Sequence, residues 1–180
     1  MSESQSLTIL FADVSGSTKL FETRGDVEAR RIVAAILGAL AEVCARHGGR
    51  VIKTIGDEIM CTFPGPMQGL LGSVDMQKRI AGDPAFAKES LAIRVGLHHG
   101  DALIEDNDVY GDAVNTAARM ASLAKREQIV TTASTSQATG GGAAVRTRAL
   151  GTRHSGADTA DLIAQALSGG PRGSECAACV

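Results

Sequence analysis

A chain of 180 residues is long enough to close one hydrophobic core and too short for two full enzymatic domains. Apolar residues at 44% and charged residues at 21% exclude a mainly disordered or membrane-embedded chain. Eighteen Lys and Arg against twenty Asp and Glu leave a charge of -2 with 3% aromatics and no Trp, so neither the basic excess nor the stacking surface of a nucleic-acid binder is present.

The N-terminus, Met1 to Ser6, is polar, and no apolar run approaches the roughly 18 residues of a membrane span. A cytoplasmic chain with no membrane segment is expected. Leu7 to Phe11 is a short β-prone run ending at Asp13, and the small residues Ser15, Gly16, Ser17 and Thr18 that follow read as a loop. From Asp26 to His47, apolar residues such as Val33, Ile36, Leu40 and Val43 recur at helical steps and stop at Gly48-Gly49. Val51 to Ile55 and Ile59 to Phe63 are strand-like and separated by Gly56-Asp57, which places Asp57 near a hairpin tip. Met67 to Ile80 returns to helical spacing.

Leu91 to Leu97 alternates as a strand, and Ala102 to Ile104 with Val109-Tyr110 predicts a hairpin across an acidic turn. Ala113 to about Lys125 reads as a helix with Asp112 as its cap, followed by a short strand from Gln128 to Thr131. Ala144 to Leu150 reads as a strand, and Asp161 to Leu167 as a strand or a helix. Residues 168–180 read as a flexible tail or linker after a single domain spanning 1–167. Cys44 and Cys61 fall in apolar patterns; Cys176 and Cys179 have CxxC spacing in the tail, without the partners a zinc site needs. Antiparallel hairpins mixed with helices argue an α+β fold rather than a doubly wound sheet.

Several of these positions can carry chemistry. Asp13 and Asp57 become neighbouring carboxylates if their strands lie side by side, a pair suited to hard divalent cations; each is also what an ordinary turn aspartate looks like. The loop Val14 to Thr18 leaves backbone NH groups free for phosphate oxygens, though it is neither of the usual glycine-rich phosphate motifs. Lys53 shares a strand face with Asp57, and with Asp108 it would match the acceptor and donor on the edge of adenine; guanine reverses both groups. Asn115 and Arg119, four apart on one helix face, can orient and neutralise a phosphate, or sit on an exposed helix with an unremarkable arginine. His98 and His99, at a strand exit, are expected to be structural.

The blocks FADVSGSTKLFE (11–22), GGRVIKTIGDEIMCTF (48–63), VGLHHGDAL (95–103) and DVYGDAVNTAARM (108–120) occur in the order found in class III nucleotidyl cyclases, whose catalytic domain this chain resembles over roughly residues 7–135. The resemblance implies a ferredoxin-like βαββαβ core with helices on one face of a mostly antiparallel sheet. It implies metal binding by Asp13, Asp57 and the Val14 carbonyl, with Mg2+ or Mn2+, two per site. It makes Lys53 and Asp108 the base-selecting pair in its adenine form, Asn115 and Arg119 the ribose and phosphate residues, and Ser15, Gly16, Ser17 and Thr18 part of the substrate cradle.

The implied activity is conversion of ATP to 3',5'-cyclic AMP and pyrophosphate at sites shared between two protomers of a head-to-tail homodimer. A catalytically silent cyclase-like nucleotide-binding or dimerisation module, and a guanylate cyclase, are the alternatives. The family usually places a lysine before a glycine near the C-terminus to hold the terminal phosphates; the nearest counterpart here is Arg153-His154-Ser155-Gly156. A regulatory domain is expected outside this chain.

Overall fold

A computed structural model describes the backbone of residues 3–140, 148–155 and 158–164 and the side chains of residues 4–140. In chain order the elements are β1 (Glu3–Ser15), α1 (Ser17–Arg24), α2 (Asp26–Arg46), β2 (Arg50–Ile55), β3 (Glu58–Phe63), α3 (Pro66–Ala81), α4 (Pro84–Lys88), β4 (Ala92–Glu105), β5 (Asp108–Tyr110), α5 (Asp112–Leu123), β6 (Ile129–Thr132), α6 (Ala133–Ala138), β7 (Arg148–Ser155) and β8 (Asp158–Ala164). The sheet runs β2-β3-β1-β4-β6-β8-β7, with β5 added to β4. Among the described residues only the β4–β6 pairing is parallel. The first four strands in the order β2-β3-β1-β4, with α2 and α3 as crossovers, are the expected βαββαβ core of an α+β fold.

Residues on β1 alternate, and both faces are apolar. Leu10, Ala12 and Val14 pack with Ile36, Leu40, Leu70 and Met76 beneath α2 and α3. Ile9 and Phe11 face the other way and pack with Met60 and with Ala113, Ala117 and Ala121 of α5. The expected layer of helices on one face is therefore α2 and α3, and α5 covers the opposite face. Its alanines let the helix lie close, and Gly96 completes the fit: a Cβ there would fall 1.9 Å from the Ala121 backbone nitrogen.

Several boundaries differ from the sequence pattern for local reasons. The expected loop at 15–18 shrinks to Gly16, because Ser17 and Thr18 already belong to α1 and Gly16, at φ +97°, makes the turn that a side chain disfavours. Asp112 is the first residue of α5 rather than its cap; Gly111 holds that place, with no side-chain hydrogen bond. The expected strand at 91–97 begins at Ala92 and is continuous with 102–104 as one strand, β4, whose mate β5 is reached through Asp106 and Asn107, both at positive φ. The short helices α4 and α6 are too brief to show periodicity; they are set by their caps, the Asp83 carboxylate accepting from Ala85 N and the Thr132 hydroxyl accepting from Thr135 N. Of the two readings of 161–167, the strand holds through Ala164, while residues 144–147, 165–167 and 168–180, with Cys176 and Cys179, lie outside the described residues. Cys44 and Cys61 are buried free thiols. Among the described residues no helix is long and apolar enough to cross a membrane.

Candidate active site

The end of β1 carries the acidic half of the site. Register places Asp13 opposite Glu58 of β3 and opposite Arg94 of β4, so three strands converge on one carboxylate. The hairpin turn at Gly56, φ +62°, brings Asp57 back to β1, where its carbonyl accepts from Val14 N at 3.2 Å. The Ser17 hydroxyl at the start of α1 donates to Asp57 Oδ2 at 2.5 Å and lies 3.4 Å from the Val14 carbonyl oxygen. These groups open on a cleft of about 600 Å³ whose lining includes Asp13, Val14, Ser15, Gly16, Thr18 and Asp57.

Charge in this cleft is crowded. Burial raises the Asp13 carboxyl above its ordinary value, the hydrogen bond from Arg94 opposes that, and the nearby Asp57 raises it again. Glu58, half-buried beside them, is raised by burial and then by Asp13. Arg94 Nε donates to Asp13 Oδ2 at 2.6 Å. Asp13, partly removed from water beside a second carboxylate, holds its charge at a cost that a cation offsets. All the donors are hard oxygens, which fits Mg2+ or Mn2+ and not a soft thiophilic ion. Among the described residues no set of three or more His, Cys, Asp and Glu forms an all-protein cage, as for ions that complete their shell with water and substrate oxygens.

The other candidates lie elsewhere on the protomer. Lys53 Nζ donates to Asp108 Oδ2 at 2.6 Å, joining β2 to β5, and Val109 N donates to Asp108 Oδ1 at 2.8 Å. The Lys53 ammonium holds the Asp108 carboxyl below its ordinary value. Asn115 and Arg119 stand on the exposed stripe of α5, opposite buried Ala113 and Ala117, with Arg119 Nη2 3.6 Å from Asp112 Oδ1. None of these four lines the cleft. The chain thus brings Asp13, Val14, Asp57 and the 15–18 segment together, and separately Lys53 with Asp108, without bringing the two groups to one place.

Three basic residues of the cleft, Arg94, Lys125 and Arg126, are absent from the sequence reading. Arg94 was within reach, since alternation between Ile93 and Val95 turns it to the face that Asp13 occupies once β1 and β4 are paired. Lys125 and Arg126 come from the α5–β6 connection, where only the tertiary fold reveals the neighbour. His98 and His99 are structural: Nδ1 of His98 is 2.8 Å from Thr132 Oγ1, and Nδ1 of His99 is 2.9 Å from Thr8 Oγ1, neither in the cleft. Arg153 lies in β7, outside the residues whose side chains are described.

Comparison with known proteins identifies the family and the fold. The sequence matches the adenylate and guanylate cyclase catalytic domain over residues 1–151. It is 33% identical over 118 residues to a putative adenylate cyclase 3 of Rhizobium meliloti (strain 1021), covering 64% of this chain and 20% of that protein. It is 31% identical over 125 residues to an adenylate cyclase of Glutamicibacter nicotianae, covering 69% of this chain and 30% of that one. The chain therefore spans well under half the length of either relative. The fold is similar to the adenylyl cyclase CyaB from P. aeruginosa, with TM-score 0.81 at 19% identity over 93% of this chain and 96% of that one. It is also similar to an adenylate/guanylate cyclase/hydrolase from Silicibacter pomeroyi, with TM-score 0.76 at 27% identity over 90% and 95% of the two chains. Motif blocks, sheet order and family match coincide over the same stretch of sequence, and the chain belongs to the adenylate and guanylate cyclase catalytic domain family.

Proposed function

We propose that this domain is an adenylate cyclase, forming 3',5'-cyclic AMP and pyrophosphate from ATP at sites shared between two protomers. The observation that carries the choice of ATP is the Lys53–Asp108 contact at 2.6 Å, a fixed donor beside a fixed acceptor. Adenine offers N1 to the first and its exocyclic amine to the second, whereas guanine would meet a donor with a donor and an acceptor with an acceptor.

The division of the candidates into two groups supports a shared site. The cleft has acid and phosphate-facing groups and no base reader; the β5–α5 region has the base reader and an arginine and no cleft. A head-to-tail pair related by a twofold axis sets one group against the other twice, giving two equivalent sites. Ile55, Leu103 and Tyr110 add large exposed apolar side chains along β2, β4 and β5, where a partner would cover them.

In the reaction the ribose 3'-oxygen attacks the α-phosphorus, the O3'–P bond forms, the bond to the bridging oxygen breaks, and pyrophosphate leaves. The 3'-hydroxyl proton passes to water or to a phosphate oxygen. Two Mg2+ or Mn2+ ions held by Asp13, Asp57 and the Val14 carbonyl would lower the hydroxyl pKa and neutralise the phosphates. Arg119 neutralises charge that develops on the α-phosphoryl group, Asn115 orients the ribose, and Ser15 to Thr18 present backbone NH groups to the phosphates. Arg94, whose charge is matched by Asp13 in the free protomer, lies within reach of the same phosphates.

Purified protein incubated with Mg2+ or Mn2+ and either ATP or GTP is expected to yield cyclic AMP from ATP. Lys53→Glu with Asp108→Ser, which presents an acceptor to guanine N1–H and a donor to O6, is expected to move the preference toward GTP. An unaltered ATP to GTP ratio in an active double variant removes these residues as base readers, and no cyclic nucleotide from either substrate favours the silent module.

A further inference from the structure

The cleft has a basic wall that no motif accounts for. Lys125 and Arg126 follow the last turn of α5 and line the same space as Asp13 and Asp57. Arg126 Nη1 donates to the Ser90 carbonyl oxygen at 2.8 Å. A guanidinium carries five donors, so this anchor fixes the side chain and leaves most of its N–H groups for another partner. The anchor also sets it against the start of α1: a Cβ on Gly16 would lie 3.2 Å from the Ser90 carbonyl oxygen and 3.8 Å from Arg126 Nη1.

The N-terminus of α1 has no side-chain cap and no acidic residue in its first turn; the carboxylate beside it is that of Asp57, bonded to the Ser17 hydroxyl. Arg126 is 3.7 Å from Glu127, an exposed pair, and Lys125 forms no ion pair among the described residues. The tethered Arg126 guanidinium and the Lys125 ammonium thus give the cleft lining a basic side, and the pair Asp13 and Asp57, bonded to Arg94 and Ser17, gives it an acidic one. A linear polyanion that carries a cation at one end satisfies both sides at once.

We propose that Lys125 and Arg126 grip the terminal phosphates of the nucleotide and the pyrophosphate released from it, from the same protomer that supplies Asp13 and Asp57. This rests on the adenylate cyclase reading for the identity of the nucleotide, and on the cleft alone for the polyphosphate. A charge-assisted contact of this kind is worth on the order of tenfold in affinity.

The test is calorimetric titration of the intact protein with inorganic tripolyphosphate in the presence of Mg2+, which needs no turnover. Arg126→Ala is expected to weaken binding about tenfold and Lys125→Ala severalfold, with Arg126→Lys recovering part of the loss. Because Arg126→Ala also frees Ser90, Lys125→Glu serves as the variant that disturbs no described contact, and it too is expected to weaken binding. Unchanged tripolyphosphate affinity in folded Lys125→Glu, or no binding by the unaltered protein, overturns the proposal. A protein that makes no cyclic nucleotide yet loses tripolyphosphate affinity in these variants refutes the cyclase reading and keeps the phosphate wall. An active cyclase whose affinity is indifferent to both residues does the reverse.

Discussion

The acidic cleft and the β5–α5 surface differ in how the fold holds them. Asp13, Asp57 and Arg94 sit where three paired strands end, fixed by register and by the Val14 N to Asp57 carbonyl bond, and their charges are partly removed from water. Asn115 and Arg119 stand on the outer stripe of one helix, exposed and with few neighbours, their position inherited from how α5 lies on the sheet. The first group is shaped before any ligand arrives and is under electrostatic tension. The second is a set of side chains that becomes a site only when something is laid against it. On the proposed reading, each group is half of a site that is completed when two copies face each other.

The sharpest break in this comparison is made at Asp57. Asp57→Ala removes one of two carboxylates for the cation and is expected to lower cyclase activity by three orders of magnitude or so. Arg119→Ala, on the other surface, is expected to be similarly inactive alone. Mixing the two variants rebuilds one complete site in each mixed dimer, from the intact cleft of one chain and the intact α5 of the other; with half of the dimers mixed, activity returns toward about a quarter of that of the unaltered protein. A mixture that forms dimers by light scattering and stays inactive would place both residues in the same protomer's site.

Gly96 separates the two regions by another route. A Cβ there would meet the Ala121 backbone nitrogen at 1.9 Å, too close for any side-chain adjustment to relieve, so Gly96→Ala must lift α5 from β4. The expected loss is about 3 kcal/mol of stability, read by urea unfolding. Asn115 and Arg119 ride on α5 and move with it, while Asp13 and Asp57 are set by β1, β3 and β4. Lys125 and Arg126, which follow α5, move with it as well, so turnover in the folded fraction should fall more steeply than binding of Mg2+ alone does. Equal losses would show that the cleft depends on α5 as much as the helix stripe does.

How much of this was legible follows from the range of each signal. Short-range patterns survive folding: the Gly56-Asp57 hairpin, the helices at 26–46 and 66–81, and the i, i+4 stripe of Asn115 and Arg119 are where periodicity puts them. Asp13 and Asp57 were identifiable as strand-end carboxylates, but their adjacency required β1 to pair with β3, a long-range fact that the ferredoxin-like resemblance supplied. What escaped needed tertiary neighbours. The second apolar face of β1 hides α5, because Ile9 and Phe11 are as hydrophobic as Leu10 and Ala12 and the run shows no alternation. Arg126 reads as a loop charge until Ser90 and Gly16 are seen beside it. Asp112 reads as a cap because an aspartate there immediately precedes the helical run from Ala113, yet Gly111, at φ +126°, takes the capping position itself.

The mildest effect expected comes from His98, which lies four residues beyond Arg94 on the same face of β4 and tests how the two ends of that face treat charge. Arg94, in the cleft, donates from Nε to Asp13 Oδ2 at 2.6 Å. His98 is half-buried, with Nδ1 2.8 Å from Thr132 Oγ1 and 3.4 Å from Thr135 Oγ1. Burial lowers its pKa below the ordinary 6.5, the neighbouring His99 lowers it further, and Asp112 opposes both. The folded chain then binds fewer protons at this site than the unfolded chain does at any pH between the depressed value and 6.5. The contribution of His98 to stability is fully present above 6.5 and is lost as the pH falls below it. Urea midpoints measured at pH 7.5 and 5.5 should drop on acidification, and the drop should shrink in His98→Gln, which keeps a hydrogen-bonding group and cannot charge. An equal drop in both proteins would mean that the interior end of the face tolerates a cation as readily as the cleft end does.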